Sequence, residues 1–172
     1  MTHGRMTRRR ALALAGTATA AAAAAALMPG RLLAKTVDAG LAESDLIYLT
    51  PLKAGGTESA CQAEVWFVAE GRDAWVVTAQ DSWRARALAR GYDRARVWVG
   101  DVGVWTRSDG AYRQLPVAEA QVERVDDPDV HTRVLALFGA KYPLSWVLWG
   151  PRFRNGLTAG SRVMLRYRLA PA

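Results

Sequence analysis

The chain has 172 residues, of which 51% are hydrophobic and 23% are charged. This composition fits one globular domain and excludes a disordered or a fibrous chain. The formal net charge is +7, and it is unevenly spread. Six basic residues and one acidic residue precede Gly40, whereas seventeen basic and fifteen acidic residues follow it. Because the excess beyond Gly40 is small, we expect no nucleic-acid partner.

Arg8, Arg9 and Arg10 form a basic cluster before an uncharged, alanine-rich stretch that runs from Ala13 to Met28. This order is typical of the charged and apolar regions of an export signal. Alanine gains little from entering hydrocarbon, so we expect no stable membrane span. An alanine-rich amphipathic or signal-anchor helix is the alternative interpretation.

The Thr-Arg-Arg order at positions 7–9 resembles the twin-arginine translocation motif, although Ala11 stands where that class usually has Phe. The resemblance implies that the twin-arginine export machinery is a partner and that the protein is periplasmic or otherwise exported. It also implies a folded passenger, often with its cofactor already bound.

The signal divides the chain into two regions. We expect residues 1–39 to be the export signal with its cleavage region, and residues 40–172 to be a single domain. Small residues at Ala34 and Ala39 are candidate cleavage points. The sequence does not choose between them.

Short apolar runs beyond the signal alternate with turn residues. Runs of this kind are typical of β-strands, and alternation within a run indicates one buried face. Alternation turns Glu64 towards solvent or the mouth of a barrel. The strands are predicted over 46–50, 63–68, 74–78, 95–99, 102–106, 112–125 and 162–168.

Helix signals interrupt the strands at three places. Asp81 and Ser82 are capping residues ahead of good helix formers. Asp127 begins a second helix, which Gly139 ends, and a third is expected after Pro143. The predicted fold class is therefore mainly β with short helices, an α+β domain.

A candidate anion site lies between the strand that ends at Thr78 and the helix that follows Ser82. Arg84 and Arg86 lie at the start of that helix. A hydroxyl, helix N–H groups and guanidinium groups suit a phosphate, because a planar guanidinium meets two phosphate oxygens at once. These four residues are therefore a candidate phosphate site. A capped surface helix with solvated arginines is the alternative.

Four segments around this site carry a family resemblance, and they are Glu64-Val-Trp-Phe-Val68, Ala74-Trp-Val-Val-Thr78, Ser82-Trp-Arg84-Ala-Arg86 and Arg94-Ala-Arg-Val-Trp98. They resemble the pyridoxamine 5′-phosphate oxidase-like family, the FMN-binding split β-barrels. In that family a strand ending in Thr and a Ser-x-Lys or Ser-x-Arg step hold the flavin phosphate. Thr78, Ser82 and Arg84 match those positions, and Arg86 lies one helical step further on.

The resemblance covers residues 47–168 and implies a six-stranded antiparallel split β-barrel that binds FMN as a homodimer. It implies an oxidoreductase that acts on a small molecule. The segment from Trp146 to Phe153 does not match the Arg-x-His ending of pyridoxamine 5′-phosphate oxidases proper, so that specific activity is not expected. A non-catalytic periplasmic binding module of the same fold, with haem or another anionic ligand, is one alternative. An unrelated small β-barrel is another.

Several other residues are singled out by their type. Trp146, Trp149 and Phe153 crowd one segment and are candidates for a wall beside the flavin ring or for a dimer contact. His131 is expected on a helix and is a candidate for a single axial haem ligand. Cys61 is the only cysteine, which excludes an intrachain disulfide, and we expect it to be a small buried hydrophobe.

Overall fold

The computed structural model describes residues 36–171. The arginine cluster, the alanine-rich stretch and Ala34 lie outside the described residues, so the export signal stays a prediction. Within the described residues a first helix begins at Val37, on the N-terminal side of the expected domain boundary at residue 40.

Within residues 36–171, seven antiparallel strands form one sheet in the order β2-β1-β5-β6-β7-β4-β3. The sheet is nearly closed into a barrel, and the predicted class, mainly β with short helices, is confirmed. The strands are β1 (Leu46–Pro51), β2 (Ala63–Trp66), β3 (Val68–Glu70), β4 (Asp73–Ala79), β5 (Arg94–Val99), β6 (Val117–Val125) and β7 (Arg162–Leu169).

The two edges of the sheet belong to one bent run of chain. Phe67 separates β2, which pairs with β1, from β3, which pairs with β4. This bend closes the sheet upon itself and divides the predicted run 63–68, which is why seven strands are present rather than six. Since β3 reaches only as far as Trp75 on β4, no described strand pairs with that edge of the segment from Val76 to Ala79. A split remains there between β2 and β4.

Four α-helices of the described chain accompany the barrel, and the three helices predicted from the sequence are confirmed. They are α1 (Val37–Glu43), α2 (Trp83–Ala89), α3 (Pro128–Lys141) and α4 (Pro143–Thr158). No helix within residues 36–171 is long and apolar enough to cross a bilayer.

Two apolar layers follow from the alternation of side chains along the strands. Val76 and Leu165 belong to the cluster inside the barrel, together with Leu41 of α1. Trp75 and Met164 face the other way and pack with α3 and α4. Helices α3 and α4 therefore cover one outer face of the sheet, beside the split.

The predicted strand over 102–106 is wrong, and so is the first part of the predicted strand 112–125. Short 3₁₀ turns occupy Trp105–Arg107 and Ala111–Gln114 instead. The Tyr48 hydroxyl donates to the Gly103 carbonyl at 2.7 Å and accepts from the Val102 N–H at 2.9 Å. These hydrogen bonds hold residues 102–103 in a loop. They take the place of the backbone hydrogen bonds that a paired strand would form.

The expected burial of Cys61 is also wrong. The residue is exposed. It lies in the connection between β1 and β2, where its backbone N–H donates to Ser59 Oγ at 3.2 Å. The Cys61 side chain faces the surface at this point of the connection, so it does not reach the core.

Candidate functional site

A cleft of about 360 Å³ opens at the split, between β2, the end of β4, the start of α2 and α4. Its size falls in the usual range for small-molecule pockets, about 300–1,000 Å³. The lining contains two arginines and no carboxylate. It consists of Val65, Trp66, Val77, Thr78, Ala79, Ser82, Arg84, Trp149, Phe153 and Arg162.

Thr78 and Arg84 meet at this cleft. Thr78 shares the inward-facing parity of Val76 on β4 and is only 3% exposed. Arg84 Nη2 donates a hydrogen bond of 2.8 Å to Thr78 Oγ1. The strand and the helix thus bring together two of the residues that the sequence assigned to the phosphate site.

The guanidinium of Arg84 is incompletely satisfied. Its Nε is buried and has no hydrogen-bond partner. Burial lowers the pKa of Arg84, and the nearby Tyr167 and Glu64 oppose that change. A buried donor without a partner is costly, so an anion that accepted from Nε would relieve the cost.

Ser82 lines the same cleft and caps α2. Its Oγ accepts from the Ala85 N–H at 3.3 Å, the usual role of an N-terminal cap. The hydroxyl hydrogen stays available to donate. Ser82 can therefore cap the helix and contact a ligand at the same time.

Arg86 is not brought together with the other three residues. Its Nη1 donates to the Asp81 carbonyl, and its side chain lines a different cleft, on another side of α2. Successive residues are rotated by about 100° around the helix axis. Arg84 and Arg86 are therefore rotated by about 200° and lie on nearly opposite sides of α2. A short helix cannot direct both guanidinium groups into one cleft.

Arg162 completes the cationic lining and was missed from the sequence. The β4–β7 register places Arg162 opposite Ala79, directly after Thr78. Its guanidinium lies 5.1 Å from the centroid of the Phe153 ring. A Cβ on Gly156 would approach Arg162 Cδ to 2.7 Å, so the glycine makes room for this side chain.

Three aromatic side chains provide apolar walls for the cleft. The Trp66 and Trp149 rings meet edge to face at 6.2 Å, and the Trp149 and Phe153 centroids are 6.1 Å apart. Trp149 and Phe153 were predicted for such a wall, and both line the cleft. Trp146 does not, because its ring stacks on Phe138 at 5.8 Å, between α3 and α4.

The remaining candidate residues are not among those that line the cleft. The Nε2 atom of His131 is 2.7 Å from the Val125 carbonyl oxygen. Glu64 accepts a hydrogen bond of 3.2 Å from the Trp105 backbone N–H. No group of three or more His, Cys, Asp or Glu residues suitable for a metal ion occurs between residues 36 and 171.

No family model matches the sequence, and no curated protein matches it. Solved structures do match the fold. HutZ, the haem-storage protein of Vibrio cholerae, has a TM-score of 0.54 at 14% identity, and the match covers 77% of this chain and 87% of HutZ. A candidate pyridoxamine 5′-phosphate oxidase from Listeria innocua has a TM-score of 0.51 at 11% identity, with 77% and 90% covered.

A protein of unknown function from Agrobacterium tumefaciens has a TM-score of 0.53 at 18% identity, with 77% of this chain and 51% of that protein covered. Identities this low show the fold alone. The resemblance seen in the sequence is confirmed at that level. The described part of this chain has the fold of the pyridoxamine 5′-phosphate oxidase-like split β-barrels.

Proposed function

We propose that this protein is an exported, FMN-binding oxidoreductase of the pyridoxamine 5′-phosphate oxidase-like type, which acts on a small molecule as a homodimer. One observation carries the proposal. The buried guanidinium of Arg84 lies in a cleft without carboxylates, bonds to Thr78, and keeps Nε without a partner. A phosphate supplies the missing acceptor.

The residues of the cleft fit a flavin in both charge and shape. Arg84 and Arg162 would bind the phosphate, with Thr78 and Ser82 as hydroxyl partners. The aromatic walls, which include Trp149, would enclose the flat ring. The flavin supplies the redox chemistry, and the chain binds and orients it.

The fold shared with a candidate pyridoxamine 5′-phosphate oxidase supports a protein of this type. The flavin and the small-molecule substrate rest on the family resemblance of the sequence. Homodimerisation and twin-arginine export are parts of the proposal that rest on the sequence resemblances. Export of an already folded protein suits a cofactor that is bound but not covalently attached.

A matched pair of substitutions on α2 tests the site. Arg84→Ala removes the partner of Thr78, whereas Arg86→Ala removes an equal charge that faces another cleft. We expect Arg84→Ala to weaken FMN binding about tenfold or more, because a hydrogen bond to a charged group is lost. We expect Arg86→Ala to change it less than about twofold. Quenching of FMN fluorescence during titration of flavin-free protein measures both affinities.

Equal weakening by the two substitutions would contradict the assignment of the site. A protein that is colourless as purified, and that also fails to take up added FMN, would contradict flavin binding itself. The visible spectrum separates the haem alternative at the same time, because haem gives a Soret band. His131 is poorly placed for haem ligation through Nε2, since that atom already contacts the Val125 carbonyl.

A further inference from the structure

A second cleft, of about 270 Å³, lies along a different side of α2 from the flavin cleft. It opens between the helix and the connection that leads from β1 to β2. No residue is shared between the two clefts. The second cleft is lined by Pro51, Leu52, Lys53, Ser59, Cys61, Trp83, Arg86, Ala87, Arg90 and Tyr92.

Backbone hydrogen bonds hold both walls of this cleft in place. On one side, the Ser59 N–H donates to the Pro51 carbonyl at 2.9 Å. On the other, the Tyr92 N–H donates to the Ala87 carbonyl at 3.0 Å, across the turn at the end of α2. The cleft is therefore a feature of the fold and does not depend on side-chain rotamers alone.

Three cationic side chains meet at the cleft without a carboxylate among its lining residues. Lys53 and Arg90 form no ion pair with any residue of the described chain. Arg86 uses one N–H on the Asp81 carbonyl and keeps the others. Cationic side chains that line one cleft without a carboxylate attract an anion.

The interior of the cleft is apolar and aromatic. Leu52 is 2% exposed and Trp83 is partly buried against the interior of the barrel, while Tyr92 lies at the opening with 42% of its surface exposed. Arg84 lies 5.0 Å from the centroid of the Trp83 ring. Flat rings and aliphatic groups of this kind favour an aromatic ligand.

We propose that this cleft binds a small molecule that combines one aromatic ring with a carboxylate or a phosphate ester. The ring would pack against Trp83 and Tyr92, and the anion would contact Lys53, Arg86 and Arg90. The volume of about 270 Å³ lies below the usual pocket range of about 300–1,000 Å³, which favours a single-ring ligand over a dinucleotide. This site is independent of FMN binding at the split.

Cys61 supplies a direct measurement, because it lines the cleft, is exposed and is the only thiol in the chain. The rate of its alkylation by iodoacetamide is followed by mass spectrometry of the full chain. Phenyl phosphate serves as the probe, with phenol and inorganic phosphate in parallel. We expect phenyl phosphate to slow alkylation at least fivefold at saturation, and each of the other two to slow it less than twofold.

Substitutions then locate the protection. Each variant is compared with itself with and without phenyl phosphate, since a lost cation also changes the reactivity of the thiol. Arg90→Ala should abolish the protection, whereas Arg107→Ala, which removes an exposed cation outside the cleft, should preserve it. Arg162→Ala, which removes a cation of the flavin cleft and does not contact Trp83, should also preserve it, which separates this site from the flavin cleft.

Equal protection by phenol or by inorganic phosphate would overturn the proposed ligand class. Absence of protection, or protection that survives Arg90→Ala, would overturn the site. Loss of protection in Arg162→Ala would show that phenyl phosphate acts through the flavin cleft, and would overturn the proposal in the same way. Normal FMN binding alongside any of these results leaves the proposed function intact.

Discussion

The hydroxyl of Tyr142 holds the bend that closes the barrel. It accepts from the Phe67 N–H at 3.3 Å and lies 2.8 Å from the Phe67 carbonyl and 2.7 Å from the Asp45 carbonyl, either of which can accept its proton. Burial raises the pKa of Tyr142, so the hydroxyl stays neutral and keeps its proton. One side chain thus satisfies backbone groups that the interrupted strand leaves unpaired.

We therefore expect Tyr142→Phe to lower the free energy of unfolding by about 1–3 kcal/mol, because buried backbone groups lose their partner while the ring stays. Urea denaturation followed by circular dichroism measures the change. Tyr92→Phe is the control, since the Tyr92 ring lies at the surface, and should alter stability by less than about 0.5 kcal/mol. Equal stability of the wild type and Tyr142→Phe would show that water replaces the hydroxyl.

Single residues also show how far the sequence could predict the site. Thr78, Ser82 and Arg84 follow one another closely in the chain, so local spacing suffices to bring them together. Arg86 does not join them, because the rotation of the helix between Arg84 and Arg86 directs its side chain to another side of α2. Arg162 could not be found in this way, since its position depends on the pairing of β4 with β7, two strands far apart in the sequence.

At the scale of elements, α3 and α4 pack closely around one ring. Trp146 lies between the two helices, stacked on Phe138 and edge-on to Phe153 at 5.7 Å. A Cβ on Gly139 would approach this ring to 3.0 Å, and one on Gly150 would approach it to 2.9 Å. Gly139 therefore allows α3 to approach the ring, and Gly150, in the same helix as Trp146, leaves room for the ring against α4.

We expect Gly150→Ala to destabilise the protein by about 1–3 kcal/mol. Alanine in a helix normally gains about 0.5–1 kcal/mol over glycine, but here the methyl group overpacks a ring that its neighbours hold in place. Asn155→Ala, on the exposed side of the same helix, should be neutral or slightly stabilising. Denaturant midpoints of the two variants compare them, and a gain in stability for Gly150→Ala would contradict the packing argument.

The junction of the same two helices contains a partly buried amine. Lys141 Nζ lies 3.6 Å from the centroid of the Phe67 ring. Burial lowers the pKa of Lys141 to about 8, with Asp45 opposing the change. A lysine in an unfolded chain has a pKa of about 10.4, so between these two values the unfolded chain binds more protons at this site.

The contribution of Lys141 to stability should therefore rise as the pH increases from about 8 to about 10, because the folded state loses the charge that is costly to bury. Below about pH 8 both states are charged and the cost is constant. Urea midpoints at pH 7 and pH 9.5 test this against Lys141→Met, which should lack the rise. Parallel pH profiles for the two proteins would refute it. Lys53→Met serves as the control for an exposed lysine.

Elements with strong local signals were predictable, whereas the connection from residue 100 to 116 was not. Val102 and Val104 alternate with glycines as strand residues do. However, Gly103 adopts a φ of +77°, which breaks the strand predicted over 102–106. The Tyr48 hydroxyl that holds the loop comes from β1, and this tertiary contact leaves no trace in the local pattern.

At the scale of the whole molecule, contacts of α1 and of Arg72 hold the two ends of the described chain against the barrel. Arg72, in the turn between β3 and β4, forms an ion pair with Asp38 and donates to the Ala170 carbonyl. Leu41 is buried in the interior cluster, and Gly40 approaches Val99 so closely that a Cβ would lie 2.9 Å from its side chain. The helix therefore belongs to the folded domain.

This arrangement discriminates between the two candidate cleavage points of the proposed signal. Cleavage after Ala39 would cut α1 and remove Asp38 together with Thr36, whose hydroxyl accepts from the Ala39 N–H at 3.2 Å. Loss of a helix cap alone costs about 0.5–2 kcal/mol. Cleavage after Ala34 leaves the helix and its cap complete. We therefore expect the exported protein to begin at Lys35, which N-terminal sequencing of the periplasmic form would establish.

A comparison of two purified chains checks the physical reason behind that expectation. A chain that begins at Lys35 should melt at a higher temperature than one that begins at Gly40, because only the longer chain retains the cap and the ion pair with Arg72. Asp38→Asn in the longer chain is an intermediate case, since it removes the charge and keeps the helix. Equal melting temperatures for the two chains, or a periplasmic form that begins at Gly40, would mean that the first turn of α1 is dispensable and that the signal extends to residue 39.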